Sequence, residues 1–180
     1  MRSILGDAMT VRPAVVTDAP AVALVHVQAW KDAYRGLVPD EILDNRSLER
    51  CTAMWERDIP NGGVWVAALS NDKIVGFASV GPSREPDAEH ELYAIYVLAS
   101  AYDTGLGFAL ASAALEGKTD VGLWVFEDNP RARRFYERFG FLPNGQVKTE
   151  TIGGADLKEM RYRLTLGTTG APNTGLPSHQ

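Results

Sequence analysis

The chain has 180 residues, of which 45% are hydrophobic, enough to bury one ordinary core. Its formal net charge of −5 argues against a general nucleic-acid binder, which needs a surplus of Lys and Arg to neutralise phosphates. The single cysteine, Cys51, excludes an intramolecular disulfide, no His and Cys cluster suggests a metal site, and no apolar run approaches the ~20 residues that span a bilayer. Residues 1–8 read as an extension before a second possible start at Met9, without the long apolar region of a signal peptide, so a cytoplasmic location is the expectation.

Residues 9–13 predict a short first strand ended by Pro13. Thr17 and Asp18 offer N-cap oxygens, Pro20 fits a first turn, and helical spacing then runs through Ala21, Leu24, Val25, Gln28, Ala29 and Trp30 to about Tyr34. Gly36 breaks that helix. A second helix is expected after Pro39 and a third from Leu48 to Trp55. Pro60-Asn61-Gly62-Gly63 is a turn, followed by a hairpin of Val64–Ala68 and Ile74–Val80 around Ser70–Lys73. Glu91–Val97 predicts another strand, and a glycine-bearing loop leads to a helix from about Gly105 to Glu116. Val121–Phe126 predicts a strand and Asn129–Phe139 a helix closed by Gly140. A further strand starts at Phe141, and Thr149–Ile152 and Glu159–Leu164 predict a last pair of strands around Gly153-Gly154. The order predicts an α/β (α+β) domain over 9–166, with a mixed sheet and one parallel crossover. Residues 167–180, rich in Gly, Thr, Pro, Ser and Asn without periodicity, are expected to be a disordered tail.

Two stretches carry chemistry. In the first, a strand runs into Tyr102-Asp103-Thr104-Gly105-Leu106-Gly107-Phe108, where a helix begins. The first amides of a helix lack partners, the helix dipole adds positive character there, and glycine admits a phosphate close to the backbone. The spacing is neither a dinucleotide fingerprint nor a Walker loop. The second stretch, Leu123 to Phe141, joins a strand, an Asn-capped helix start, an Ala-x-x-Phe-Tyr helix face and a Gly-Phe exit with almost no slack.

Together these motifs resemble the GNAT acyltransferase superfamily, with matching element order over about residues 10–165. The resemblance implies a mostly antiparallel sheet of six to seven strands with helices on both faces, and transfer of an acetyl group from acetyl-CoA to an amine by direct attack. With the charge, the lack of a His and Cys cluster and the lack of a long apolar run, the expectation is no metal, no nucleic acid and no membrane partner. The acceptor is a small-molecule or peptide amine, and a homodimer stays open. One departure stands out. The family's phosphate loop usually starts with Arg or Gln three residues before the first glycine, and here Tyr102 stands there, followed by Asp103.

Carried over residue by residue, the resemblance makes Tyr136 the general acid for the leaving thiolate and Glu91 the general base, directly or through a water. Ile95, Tyr96 and Val97 would hold the acetyl carbonyl and pantetheine arm through their backbone. Tyr102, Thr104, Gly105, Leu106, Gly107 and Phe108 would surround the diphosphate, and Asn129, Ala132 and Arg133 would contact the coenzyme from the next helix. Trp30 and Tyr34, four apart on the first helix, and Tyr93 would face the acceptor amine. The run Arg131, Arg133, Arg134, Arg138 reads as a solvated face or as a contact for the adenosine 3′-phosphate. A silent acyl-CoA-binding module is the alternative that Tyr102 and Asp103 favour.

Overall fold

A computed structural model describes residues 9–165; the expected extension at 1–8 and the expected tail at 167–180 lie outside the described residues. The elements run β1 Thr10–Pro13, α1 Ala19–Tyr34, α2 Asp40–Asp44, α3 Leu48–Asp58, β2 Val64–Ala68, β3 Ile74–Pro82, β4 His90–Val97, α4 Leu106–Ala114, β5 Asp120–Phe126, α5 Pro130–Phe139, β6 Leu142–Ile152 and β7 Ala155–Thr165. All twelve lie close to where spacing and turn residues predict them, with two corrections. The strand beginning near Phe141 and the strand at Thr149–Ile152 are one, β6. Pro143 and Gly145 look like breakers in the sequence, but β6 is the edge of the sheet and its pairing with β7 is interrupted between Pro143 and Val147. An edge strand tolerates a proline because the missing amide has no ladder to fill. The second correction is at the start of α1. Thr17 makes no cap, and Asp18 holds the turn differently: its carboxylate accepts from the Val15 amide at 2.9 Å and from Arg12 at 2.6 and 2.9 Å.

One seven-stranded sheet has the order β1-β2-β3-β4-β5-β7-β6, antiparallel throughout except between β4 and β5. Helices cover both faces. On one, α4 and α5 bury Leu106, Leu110, Ala114 and Tyr136 against Val75, Val80, Leu92, Val121 and Leu123. On the other, α1 and α3 bury Val22, Val25, Cys51 and Trp55 against Val66, Ile74 and Phe77. Ser47 caps α3, its hydroxyl accepting from the Arg50 amide at 3.2 Å. A third cluster of Trp30, Tyr34, Val38, Leu43, Phe126 and Leu157 joins α1 and α2 to the far end of the sheet. Among the described residues no helix is long and apolar enough to cross a membrane, and no group of three or more His, Cys, Asp and Glu is placed to hold a metal.

Two irregularities position the site. Ser79 pairs with Ala94 but Val80 pairs with Leu92, so Tyr93 is an extra residue in β4 and the strand bends there. Immediately beside it, β4 pairs with β5 only through His90–Val121 and Glu91–Gly122, after which the two strands diverge. The foot of this wedge is tied by buried charge. Arg161 of β7, 0% exposed, lies against Asp87 at 2.8 Å and against the buried Glu91 at 3.2 Å. Gly122 makes the room, because a Cβ there would stand 2.1 Å from Arg161 Nη2.

Candidate active site

The wedge opens into a cleft of about 2360 Å³ that runs from the mouth of α4 to the underside of α2 and the β6–β7 hairpin. Ile95, Tyr96 and Val97 line it where β4 no longer has β5 as a partner, so the ladder groups on that side of β4 face the cleft instead of a strand. Gly105, Leu106, Gly107 and Phe108 line its mouth.

The two glycines are there for different reasons. Gly105 caps α4 with φ +83, and nothing lies within 4 Å of where a Cβ would be, so the backbone conformation requires it and the space before it is open. At Gly107 a Cβ would meet the Phe135 ring at 3.3 Å, so this glycine lets α4 and α5 approach each other. Thr104 does not line the cleft. Its hydroxyl donates to the Ala101 carbonyl at 2.7 Å and holds the loop in shape. Tyr102 does line the cleft, with the Arg131 guanidinium 3.3 Å from its ring centroid. A basic group therefore stands at the loop after all, delivered by α5 and held by a cation–π contact.

On α5, Asn129 caps the helix by accepting from the Ala132 amide at 3.1 Å, Pro130 occupies the first turn, and Gly140 ends the helix with φ +114. Asn129, Ala132 and Tyr136 all face the cleft, whereas Arg133 is turned away to donate to Tyr162 Oη and the Glu127 carbonyl, both at 3.2 Å. Tyr136 is 9% exposed, lies against Phe135 and Phe141, and its hydroxyl has no hydrogen-bond partner among the described residues. Burial, with a smaller contribution from Tyr96, raises its pKa, so it is a protonated phenol at neutral pH.

At the other end, Trp30 and Tyr34 meet edge to face at 5.2 Å, and the Tyr34 and Tyr96 hydroxyls are 3.1 Å apart. Burial raises both phenolic pKa values. Tyr93 reaches the cleft from the bulge, its hydroxyl donating to the Pro82 carbonyl and its ring under the Arg84 guanidinium at 4.9 Å. The roof is made by two segments far apart in sequence. Gly153, with φ +58, touches Ile42 so closely that a Cβ would lie 2.3 Å from Ile42 Cγ1.

Glu91 lines the cleft, but its carboxylate is already engaged. It accepts from the Arg84 side chain and amide and from Arg161, and the residue is 1% exposed. A second carboxylate, Glu159 of β7, lines the end of the cleft under the β6–β7 hairpin and was not legible in the sequence. It is 8% exposed and ion-paired with Lys148, whose Nζ sits 3.2 Å from its Oε2. Burial raises its pKa, with Lys148 opposing. Trp124, whose indole N–H is buried without a partner, stands beside it under Lys148 at 4.4 Å. The available signal was the alternation Leu157, Glu159, Arg161, which puts two charges on an inward face of β7.

Comparison with known proteins agrees with this geometry. The family model described as "Acetyltransferase (GNAT) family" matches residues 27–141. An uncharacterized N-acetyltransferase of Bacillus subtilis is 32% identical over 160 residues, covering 84% of this chain and 90% of the relative. A probable N-acetyltransferase of Mycobacterium tuberculosis is 27% identical, covering 86% and 92%. Among solved structures, a putative acetyltransferase of Salmonella typhimurium holding acetyl-CoA superposes with a TM-score of 0.65 at 19% identity, over 93% of this chain and 99% of that one. An N-acetyltransferase of Thermoplasma acidophilum in complex with coenzyme A gives 0.62 at 18% identity, over 88% and 99%. With the wedge between β4 and β5, the α4 mouth and Tyr136 on one cleft, and with these matches over most of its length, the chain belongs to the GNAT family of acetyltransferases.

Proposed function

We propose that this chain is an N-acetyltransferase that moves an acetyl group from acetyl-CoA to a primary amine by direct attack. The observation that carries the reading is the convergence, on one continuous cleft, of a strand with free ladder groups, a helix mouth with open space before Gly105, and a buried neutral phenol. The first amides of α4 at Gly107 and Phe108, with the Gly105 amide before them and the Leu106 amide, held only by a long 3.4 Å contact to Thr104 Oγ1, suit a diphosphate, and Arg131 on Tyr102 adds positive charge beside them. The open edge of β4 at Ile95–Val97 suits the pantetheine amides and gives an N–H for the developing oxyanion. Asn129 keeps its side-chain amide N–H groups free after capping α5, and these suit the pantetheine arm.

The amine nitrogen attacks the thioester carbonyl carbon. The carbon–sulfur bond breaks as the tetrahedral intermediate collapses, and the sulfur takes the proton of the Tyr136 hydroxyl. The amine's proton passes to a carboxylate at the acceptor end. Glu159 suits that role, because burial favours its taking up a proton against the pull of its ion-pair partner Lys148, 3.2 Å from Oε2. Glu91 can act only through a water, since Arg84 and Arg161 hold it. No covalent enzyme intermediate is needed, and the buried Cys51 has its pKa raised mainly by burial, the opposite of an activated thiol.

The test is release of free thiol from acetyl-CoA with a panel of amines, for the wild type beside Tyr136→Phe, Glu159→Gln and Glu91→Gln. Thiol release by the wild type, lost in Tyr136→Phe, supports the reading. Loss in Glu159→Gln with retention in Glu91→Gln assigns the base to Glu159, and the reverse assigns it to Glu91. Retention of acetyl-CoA with no thiol release for any amine overturns transfer in favour of a silent acyl-CoA-binding module, the reading that Asp103 at the loop favours.

A further inference from the structure

The acceptor end of the cleft contains a guanidinium with no acid to answer it. Arg46, in the short link between α2 and α3, is half-buried and lines the cleft, its Cζ 4.4 Å from the centroid of the Trp30 ring. Its recorded polar neighbours are His26, whose Nε2 lies 3.3 Å from Arg46 Nη2, and the weakly accepting sulfur of Cys51. None of the ion pairs among the described residues includes Arg46.

The His26 contact does not satisfy it. Trp55 Nε1 is a donor only and stands 3.2 Å from His26 Nδ1, so Nδ1 is the accepting nitrogen and the imidazole proton is on Nε2. Guanidinium is also a donor only. Arg46 Nη2 and His26 Nε2 therefore present N–H to N–H. In the reverse tautomer Nε2 accepts from Arg46, but the Nδ1 proton and the Trp55 N–H are left to share the Cys51 sulfur, 3.5 Å from Nδ1 and a poor acceptor, and protonating the ring puts a donor on both sides. Burial, with the Arg46 charge adding to it, lowers the His26 pKa to about 4, in keeping with a neutral ring. His26 is wedged between Trp55, Phe77 and Tyr96 at 5.6, 5.5 and 5.5 Å and has no room to turn aside. In the tautomer that serves Trp55, Arg46 has only the weakly accepting Cys51 sulfur to donate to, and Arg46 is the group that lines the cleft.

We propose that Arg46 is the anchor for a carboxylate on the acceptor, so that the amine this enzyme acetylates belongs to an amino acid. The proposal rests on the acetyltransferase reading and names its acceptor class. The guanidinium edge matches a planar carboxylate with two parallel N–H bonds. His26 stacks on Tyr96 with 24° between rings, and Tyr96 belongs to the open part of β4, so the anchor is one aromatic layer from the thioester position and the amine only a few bonds from the carboxylate. Glu159 lines the same end of the cleft.

The experiment compares α-, β- and γ-amino acids with their matching carboxamides, read by thermal shift and tryptophan fluorescence, in the wild type, Arg46→Gln and Arg46→Lys. The expected result is that at least one amino acid binds about tenfold or more tightly than its amide, a difference in line with hydrogen bonds to a charged group. Arg46→Gln should erase that preference and Arg46→Lys keep part of it. Amides equal to acids at every spacing, or a preference unchanged in Arg46→Gln, overturns the proposal. Should Arg46→Gln fail to fold, the wild-type pairs decide alone. Acetyl-CoA is titrated separately: its failure to bind would remove the wider reading, while the acid-to-amide comparison still judges Arg46.

Discussion

At the mouth of α4 the cleft is lined by Gly105, Leu106 and Gly107, with open space before Gly105 and with Tyr102 and Arg131 beside them, whereas under α2 and the β6–β7 hairpin it is lined by Trp30, Tyr34, Arg46, Trp124, Lys148 and Glu159. The two halves respond to different changes. A site made of backbone depends on where the chain runs and is indifferent to many side chains, which explains how Tyr102 can replace a basic residue while Arg131 restores the charge from another helix. A site made of side chains can change its ligand by one substitution, but each polar group in it must find a partner. Arg46, in none of the ion pairs among the described residues, is the group left waiting.

The sharpest way to separate the halves is Tyr136→Phe, which is expected to lower kcat by about 10²–10⁴-fold, the usual range for losing a general acid, with acetyl-CoA affinity unchanged by calorimetry. A parallel loss of affinity would show that the phenol also shapes the donor half. Next in size, Arg161→Met leaves Glu91 with only the exposed Arg84 and is expected to cost about 3–5 kcal/mol in urea unfolding. Both halves should weaken together, since the tie sits at the foot they share.

His26 gives a pH-dependent contrast. Its folded pKa lies below its unfolded value, so on acidification the unfolded chain takes the proton first. The native state therefore loses about 3 kcal/mol of relative stability as pH falls from 6.5 to about 4, and this slope ends once the folded ring also titrates. Urea midpoints against pH should show the slope in the wild type and lose it in His26→Gln. Smallest is Gly153→Ala, expected to cost about 1–2 kcal/mol for its left-handed backbone alone, with the Ile42 contact added. It should raise KM for the amine and leave acetyl-CoA binding as it is; Ile42→Ala should relieve the contact but not the backbone strain.

Much of the fold was legible because periodicity and turn residues act locally. Pro130 and Gly140 bracket α5, and the Asn129 side chain makes the cap its residue type predicts. Where reading failed, a distant partner decided. Asp18 left its cap for Arg12, and Pro143 sat in a strand because the edge of the sheet did not need its amide. That Gly105 to Phe108 and Asn129 to Tyr136 come together at one end of the cleft was legible for the same local reason, since both are short segments. The acceptor half was not, since Arg46, Trp124 and Glu159 meet only through the fold, and a buried charge is spelled like a solvated one. Trp30 and Tyr34 were found by their spacing, but what they enclose was not.

The tie between Glu91 and Arg161 spans 70 positions. β7, which carries Arg161, is the last strand among the described residues and yet is inserted between β5 and β6. During synthesis the wall that β5 offers the donor therefore stands unsupported until nearly the whole domain has left the ribosome. The stretch matched by the family model ends at residue 141, before β6 and β7 begin. What is most recognisable in this protein is thus not a unit that can stand alone: a chain stopped there would carry both signature motifs and lack the strand that keeps them apart at the right angle.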